Sequence, residues 1–288
     1  FKVEPGAFTG APRELRNQEH TNLWIVAKAD LRATPPGGAV RCLEVQLPMP
    51  TGHLYADYEE VDGRLRVALQ QVPLGDLLLT MTHESIDHRN QAPIDRDYEG
   101  LIALAVQPSV IGRYEIDLAT GEVLDAELAM DVERVWGGVL PTTDTYSAAA
   151  RAHQRNLWYA GAGYDPDLIP EEWWALYGNA TDGVVAPADL PDEAIPGSLC
   201  RVDLESMKVA EVWQYEAGAF PSPPTFVPRA GAEDPDDGYV VVVVHQDGDK
   251  ELQVFDAQHV ERGPLARATA RGFNPNLMLH STWMPTRV

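Results

Sequence analysis

Short β-rich segments separated by turn residues recur along this chain and constrain its fold more than any other feature. Two segments predict hairpins: HLYADYEEVDGRLRVALQQ, where Asp62-Gly63 separates two alternating runs, and GYVVVVVHQDGDKELQVFDA, where residues 246–250 turn the chain back. Asp-Gly favours the positive φ angles of a tight hairpin turn, so both segments predict antiparallel strand pairs. Gly and Pro contribute 23 residues each to a chain of 288. This frequent punctuation favours many short strands over long helices.

A strand that ends in aspartate, followed by a short turn and a second strand, occurs three times. The segments are GRYEIDLATGEVLDAEL with Asp117, GSLCRVDLESMKVAEVWQY with Asp203 and KELQVFDAQHVERGPLARAT with Asp256. Their spacing is irregular, because the aspartates are 86 and then 53 residues apart. Antiparallel hairpins repeated in this way predict an all-β fold, a β-propeller whose four-stranded blades persist while the loops vary. The pattern alone leaves a β-sandwich or two stacked barrels open.

Two stretches interrupt the β-rich pattern. Residues 147–156 (SAAARAHQRN) and 170–178 (PEEWWALYG) contain helix formers, and the acidic, proline-rich residues 181–196 predict a loop. We expect one domain over residues 1–288, with helical and loop insertions between blades around residues 147–196. Loops on a rigid scaffold are where substrate contacts usually lie.

Composition excludes several classes of protein. The chain has 44 acidic and 22 basic side chains, a net charge of −22, whereas a protein that tracks nucleic-acid phosphates needs a basic face. Cys42 and Cys200 are the only cysteines, which excludes a disulfide framework and favours a reducing, cytoplasmic location. The longest apolar run, Tyr239–Val244, is far shorter than the roughly 20 residues that span a bilayer. Peripheral contact with a membrane through a surface patch stays open.

Two histidines stand out among the eight in the sequence. The eight form no HExxH or other local metal motif. His53 and His280 differ from the rest because each lies beside a hydrophobic strand among aromatic or apolar residues. Their separation of 227 residues is uninformative as a linear motif. A propeller, however, brings inner-strand residues from different blades to a shared axis, so both are candidate metal ligands.

Motifs of other common chemistries are absent from the sequence. There is no GxSxG elbow of a serine hydrolase and neither of the usual glycine-rich nucleotide motifs. A glycosidase carboxylate pair is defined by its separation in space, so the sequence leaves a carbohydrate-active propeller open. The acidic pairs at 233–234 and 236–237 lie next to Gly and Pro and are typical of solvated turns.

The C-terminal third resembles the closing blades of the carotenoid cleavage oxygenases, a family that includes lignostilbene dioxygenases and the retinoid isomerase of the eye. The resemblance rests on the order and spacing of six segments: PGSLCRVDL, PTFVPR, DDGYVVVVV, LQVFDA, GPLARA and GFNPNLMLHSTWMP. Further upstream, GHLYADYEEVDGRL resembles the HxxNAYE segment of the family. His53, Tyr58 and Glu59 match that segment, whereas Ala56 and Asp57 replace its Asn and Ala.

The resemblance implies a seven-bladed propeller that holds one Fe(II) on its axis through four histidines. The implied reaction is cleavage of a conjugated C=C bond of a carotenoid, apocarotenoid or stilbene with O2, which yields two carbonyl products. His53 would be the third metal ligand of the family and His280 the fourth. The partners would be an apolar small molecule and O2, and we expect Phe273 and Trp283 to contribute to the substrate-binding wall.

The resemblance also implies that the chain is the C-terminal portion of a longer propeller, without its first blades. Only His20 precedes His53, and its surroundings, NQEHTNLWIV, do not resemble a ligand segment, while FKVEPG resembles the stretch that follows the second ligand's strand. We expect such a portion to be inactive by itself.

Two departures from the family pattern keep a second function open. Pro223 stands where a glutamate usually precedes the FVP motif, and GGVLPTT around Val139–Pro141 lacks the carboxylate of the family's acidic segment. Those glutamates accept hydrogen bonds from ligand imidazoles, which proline and valine side chains cannot do. The alternative is therefore an inactive paralogue that serves as a binding scaffold.

Overall fold

The computed structural model describes residues 19–51, 56–76, 79, 81–99, 106–141, 155–234, 236–246, 248–273, 275, 281 and 283. The described chain is mainly β, as the sequence predicts. Its strands are β1 (His20–Ile25), β2 (Leu43–Pro48), β3 (Ala56–Val61), β4 (Arg64–Gln71), β5 (Val110–Asp117), β6 (Val123–Ala129), β7 (Gly138–Pro141), β8 (Asn156–Gly161), β9 (Ser198–Asp203), β10 (Lys208–Gln214), β11 (Phe220–Pro221), β12 (Thr225–Pro228), β13 (Gly238–Gln246), β14 (Asp249–Asp256) and β15 (Ala266–Ala268).

Helices in the described residues are short. The α-helices are α1 (Lys28–Ala33) and α2 (Glu171–Tyr177), and the 3₁₀ helices are Arg96–Tyr98, Pro166–Leu168, Pro187–Asp189 and Val260–Arg262. Within the described ranges, no helix has the length and apolar character needed to cross a membrane.

In the described residues the strands form four antiparallel sheets, and in the first three sheets neighbours in the chain are neighbours in the sheet. The first sheet is β1–β2, the second β3–β4–β5–β6 and the third β7–β8–β9–β10. In the fourth sheet β11 and β12 both pair with β13, which is followed by β14 and β15. Short turns join β3 to β4, β5 to β6, β9 to β10 and β13 to β14. Residues 72–109 and 162–197 make the longer connections from β4 to β5 and from β8 to β9.

Both predicted hairpins are present. β3 and β4 are joined through Asp62 and Gly63, whose φ angles are 51° and 76°, the left-handed region that Asp-Gly turns adopt. β13 pairs with β14 as far as Gln246 and Asp249. Local turn chemistry therefore sets the register of both strand pairs.

The recurring aspartate at the end of a strand has a local function. The Asp117 carboxylate accepts hydrogen bonds from the backbone amides of Ala119 and Thr120, each at 2.8 Å. Asp203 accepts from the amide of Glu205 at 2.8 Å, and Asp256 from that of Gln258 at 2.9 Å. An aspartate side chain that accepts a hydrogen bond from the backbone amide two or three residues ahead forms an Asx turn. This turn reverses the chain after each strand.

Successive sheets pack face to face through apolar side chains. Successive side chains of β8 face different sheets. Leu157 and Tyr159 pack with Ile111 of the second sheet, whereas Trp158 packs with Phe255 of the fourth. A strand whose two faces are both covered needs apolar residues at consecutive positions. The interface between the first and second sheets contains Val45, Leu47, Val67, Leu69, Tyr114 and Ile116.

The segment after β8 covers one end of the second and third sheets. Residues 170–178 contain the helix α2, as their helix formers predict, and its Trp173 and Tyr177 are buried in an apolar cluster. The Tyr177 hydroxyl donates to the buried Asp76 carboxylate at 2.7 Å. The range 147–196 expected to hold insertions also contains β8, since Asn156–Gly161 lies in the middle of the third sheet and is mostly buried.

Candidate metal centre

His53 and His280, the two candidate ligands, lie outside the described residues, but some of their neighbours in the chain are described. Thr51 precedes His53 and accepts a hydrogen bond from the Thr21 hydroxyl of β1 at 3.0 Å. β3, the edge strand of the second sheet, begins at Ala56. In the sequence, His53 lies between Thr51 and the first residue of β3.

Ser281, the residue after His280, contacts the fourth sheet. Its hydroxyl is hydrogen-bonded to the hydroxyl of Thr225, the first residue of β12. The same Ser281 hydroxyl also donates to the backbone carbonyl oxygen of Pro223 at 3.4 Å. Two polar contacts thus connect the neighbour of one candidate ligand to the start of β12.

Pro275 contacts the same sheet at a second place. The Lys250 ammonium, at the start of β14, donates to the Pro275 carbonyl oxygen at 2.7 Å. Lys250 is opposite His245 in the sheet, whereas Thr225 is opposite Val241. The two contacts are therefore separated by four residues along β13.

His245 of β13 lies beside one of these contacts, because it is paired with Lys250. Its Nε2 lies 3.3 Å from the hydroxyl of the fully buried Ser222. Burial lowers the pKa of His245, and the nearby Lys250 ammonium lowers it further. Both causes favour the neutral form of the ring, in which imidazole can accept a hydrogen bond.

The position of the implied glutamate has no carboxylate here. Pro223 is buried, and its backbone carbonyl accepts from the Ser281 hydroxyl. In the other implied glutamate position, β7 pairs with β8 through Gly138 and Pro141. At position 223 the hydrogen-bond acceptor is therefore a neutral backbone carbonyl, whereas the resemblance implies a glutamate side chain there.

Phe273 and Trp283, expected to contact substrate, carry exposed aromatic surface. Phe273 is 36% exposed and Trp283 43%. The backbone amide of Phe273 donates to the Ala270 carbonyl at 2.9 Å, in the turn after β15. Both residues belong to the C-terminal segment that Lys250 and Thr225 contact.

A cluster that sequence reasoning missed lies between the third and fourth sheets. His259 Nδ1 is 3.8 Å from a Glu211 carboxylate oxygen and 3.9 Å from one of Glu261, and all three side chains could hold one metal ion. Glu211 is already bound by the Arg201 guanidinium at 2.9 Å and the Val260 amide at 2.8 Å. Through its contact with the Val260 amide, Glu211 connects β10 to the chain after β14.

The pKa values in this cluster follow from the same contacts. Burial raises the pKa of Glu211, but hydrogen bonds with Glu261 and Arg201 outweigh it and bring the pKa below its ordinary value. The hydrogen bond to Glu211 raises the pKa of Glu261. No sequence pattern signals the cluster, because Glu211 is 48 residues from His259 in the chain and meets it only through sheet packing.

Comparison with known proteins gives one family. The family model for RPE65, retinal pigment epithelial membrane protein, matches residues 9–285. Carotenoid cleavage dioxygenase 8 homolog A, chloroplastic, of Oryza sativa subsp. japonica is 36% identical over 94 residues, which are 31% of this chain and 16% of that protein.

Two solved structures have a similar fold. A Synechocystis apocarotenoid oxygenase variant has a TM-score of 0.50 and 18% identity, covering 86% of this chain and 42% of that one. The Pseudomonas brassicacearum lignostilbene dioxygenase has a TM-score of 0.51 and 16% identity, covering 94% and 54%. The chain thus spans about half the length of these structures.

Proposed function

Because the chain belongs to the carotenoid oxygenase family of the retinal pigment epithelial membrane protein, we propose that it is part of a non-haem Fe(II) dioxygenase. The reaction is the cleavage by O2 of a conjugated C=C bond in a carotenoid, apocarotenoid or stilbene, with two carbonyl products. The observation that carries this proposal is the family match over residues 9–285, which includes both His53 and His280.

The sheets of the chain are proposed to be blades of the seven-bladed propeller. Two observations support this fold: the strands of the first three sheets follow their order in the chain, and each sheet packs face to face on the next. The second and third sheets have four strands each, and stacked four-stranded sheets are the blades from which a propeller is built.

His53 and His280 are proposed to be two of the iron ligands. Their donor chemistry fits Fe(II), since imidazole is a suitable ligand for iron and four neutral imidazoles leave the ion its full charge. When bound, the ion would supply open positions at which O2 is activated for attack on the alkene. Support from the described residues is that His53 precedes the edge strand β3 and that His280 precedes Ser281, which contacts β12.

The chain's other proposed contribution is to bind and orient the substrate. Phe273 and Trp283 have exposed aromatic surface near the proposed ligand His280 in the sequence, which suits an apolar, conjugated partner. We also propose a cytoplasmic location, because the thiols of Cys42 and Cys200 are both free, as in a reducing compartment.

A second candidate function is a binding scaffold that has lost catalysis. Pro223 favours this candidate, because it offers only a backbone carbonyl where the resemblance implies a glutamate. A scaffold of this kind would keep the fold and an apolar binding surface without turning the substrate over.

The two functions are separated by product analysis on the intact protein. The protein is loaded with Fe(II) and incubated in air with a stilbene and an apocarotenoid, and carbonyl fragments are identified by mass spectrometry. We expect two fragments from one of these substrates, and background levels for His53→Ala and His280→Ala. His83→Ala, a change at an exposed histidine, is the matched control. Iron-loaded protein that binds both compounds but cleaves neither would favour the scaffold.

A further inference from the structure

We propose that Glu211, His259 and Glu261 form a second metal site, for Zn(II), between the third and fourth sheets. Glu211 belongs to β10, whereas His259 and Glu261 flank Val260 in the chain after β14. A bound ion would therefore join the two sheets. This inference goes beyond the proposed function and does not depend on it, since it uses none of the proposed iron ligands.

One ring nitrogen of His259 faces both carboxylates. Its Nδ1 lies 3.8 Å from an oxygen of Glu211 and 3.9 Å from an oxygen of Glu261, distances too long for a hydrogen bond. They suit two ligands of one ion, because histidine nitrogen and carboxylate oxygen each bind Zn(II) at about 2.0–2.2 Å and can be almost twice that distance apart. Within the described part of the chain, no hydrogen bond engages the His259 ring.

The two carboxyl groups also contact each other. Glu211 and Glu261 are joined by a side-chain hydrogen bond, which needs a proton on one of the two groups, because ionised carboxylates only accept. Two ionised carboxylates at this separation repel each other unless a proton or a cation lies between them. A divalent ion can replace the shared proton and compensate both charges, and one imidazole with two carboxylates is a donor set suited to zinc.

Glu211 is held in position by partners outside this group. Its side chain is 12% exposed, and the Arg201 guanidinium donates to Oε1 at 2.9 Å while the Val260 amide donates to Oε2 at 2.8 Å. Each carboxylate oxygen has a second lone pair, so Glu211 can keep both hydrogen bonds and still bind an ion. Hydrogen bonds of this kind orient the carboxylates that bind metals.

A second histidine has similar neighbours in a different geometry. His83 also lies between two carboxylates, since its Nε2 is 3.7 Å from Glu84 and its Nδ1 is 3.7 Å from Glu99. The two ring nitrogens point in different directions, so one ion cannot be bound by His83 and by both of these carboxylates. His83 is therefore a matched control for His259, with the same kind of neighbours but without a shared metal position.

The test is a Zn(II) titration of the intact protein by isothermal titration calorimetry. It is made in the double variant His53→Ala, His280→Ala, so that the proposed iron ligands do not bind the added metal. We expect one Zn(II) ion per molecule. A further His259→Ala or Glu261→Gln change should raise the dissociation constant at least about 10-fold, the lower end of what even an outer partner of a metal contributes. A further His83→Ala change should leave the constant as it is.

Thermal unfolding provides a second measurement, which does not require the double variant to fold. Zn(II) should raise the Tm of the unaltered protein, because a ligand that binds the folded state stabilises it. The rise should be smaller in His259→Ala and Glu261→Gln than in the unaltered protein, and His83→Ala should respond like the unaltered protein.

Two results would overturn the inference. The first is absence of Zn(II) binding by the folded double variant. The second is a dissociation constant that neither His259→Ala nor Glu261→Gln changes. Both results would leave the proposed iron site standing, whereas absence of iron from the unaltered protein would contradict the proposed function and leave this inference standing.

Discussion

Trp158 donates a hydrogen bond from its indole Nε1 to the backbone carbonyl oxygen of Ala257, 2.7 Å away. The same ring stacks on Phe226, with centroids 4.9 Å apart and planes 15° apart. Trp158 belongs to the third sheet. Phe226 belongs to β12 of the fourth sheet, and Ala257 directly follows β14 of the same sheet. One side chain therefore joins two sheets through both apolar packing and a directed polar contact.

Truncation of Trp158 should weaken this interface strongly. Trp158 is 2% exposed, so Trp158→Ala leaves a cavity and should lower the free energy of unfolding by about 3–5 kcal/mol. Trp158→Phe keeps most of the packing but leaves the Ala257 carbonyl without its donor, which costs about 1–3 kcal/mol. Denaturant unfolding measures both changes. Trp24→Ala, at a side chain 59% exposed, is the control; equal losses at positions 24 and 158 would contradict the packing described.

The Tyr177 hydroxyl should stabilise the segment that covers the second and third sheets. Tyr177→Phe removes a donor to the buried Asp76 carboxylate, and a buried acceptor that loses a partner costs about 1–3 kcal/mol. Tyr98→Phe, at an exposed tyrosine, serves as the matched control in the same unfolding measurement. Identical stability of the two variants would show that this hydrogen bond contributes little.

The two cysteines should differ sharply in reactivity. Cys42 is exposed and Cys200 is buried, and burial raises the pKa of the Cys200 thiol well above its ordinary value. Because the thiolate is the reactive species, a thiol reagent should modify Cys42 alone in the folded protein and both residues in denaturant. Cys42→Ser should abolish the reaction of the folded protein. Rapid modification of that variant would contradict the burial of Cys200.

Acid should destabilise the protein in part through His245. Burial, with the Lys250 ammonium as a lesser cause, lowers its pKa below the ordinary 6.5. Between the folded pKa and 6.5 the unfolded chain binds more protons than the folded one, so the free energy of unfolding falls as pH falls through this range. His245→Gln should flatten this part of the pH profile. Lys250→Met should make the effect smaller, because the folded pKa of His245 then rises towards 6.5 and the pH range between the two pKa values narrows. A profile unchanged by His245→Gln would contradict this assignment.

The features predicted correctly from sequence are those that local chemistry determines. Asp62 and Gly63 form a turn because both adopt positive φ angles. Asp117 forms another because its carboxylate accepts hydrogen bonds from the backbone amides two and three residues ahead. β8 differs, because Leu157, Trp158 and Tyr159 are consecutive apolar residues that only packing between two sheets explains. Periodicity cannot distinguish such a short buried strand from other apolar segments.

The candidate site depends even more on distant contacts. The contact of Ser281 with Thr225 joins residues 56 apart in the chain, and the Glu211–His259 contact also crosses between sheets. Neither has a spacing that a sequence pattern can signal. His53 and His280 were found through their segment contexts and the family resemblance, and their function as ligands stays a prediction.

Metal analysis tests the central claim, iron binding through His53 and His280, most directly. The intact protein is loaded with Fe(II) without O2, freed of unbound metal and analysed for iron beside His53→Ala, His280→Ala and the control His83→Ala. We expect one iron ion per molecule in the unaltered protein and the control, and loss of the iron in the other two variants. Absence of iron from the folded, unaltered protein, or full iron content in both His53→Ala and His280→Ala, would contradict the claim.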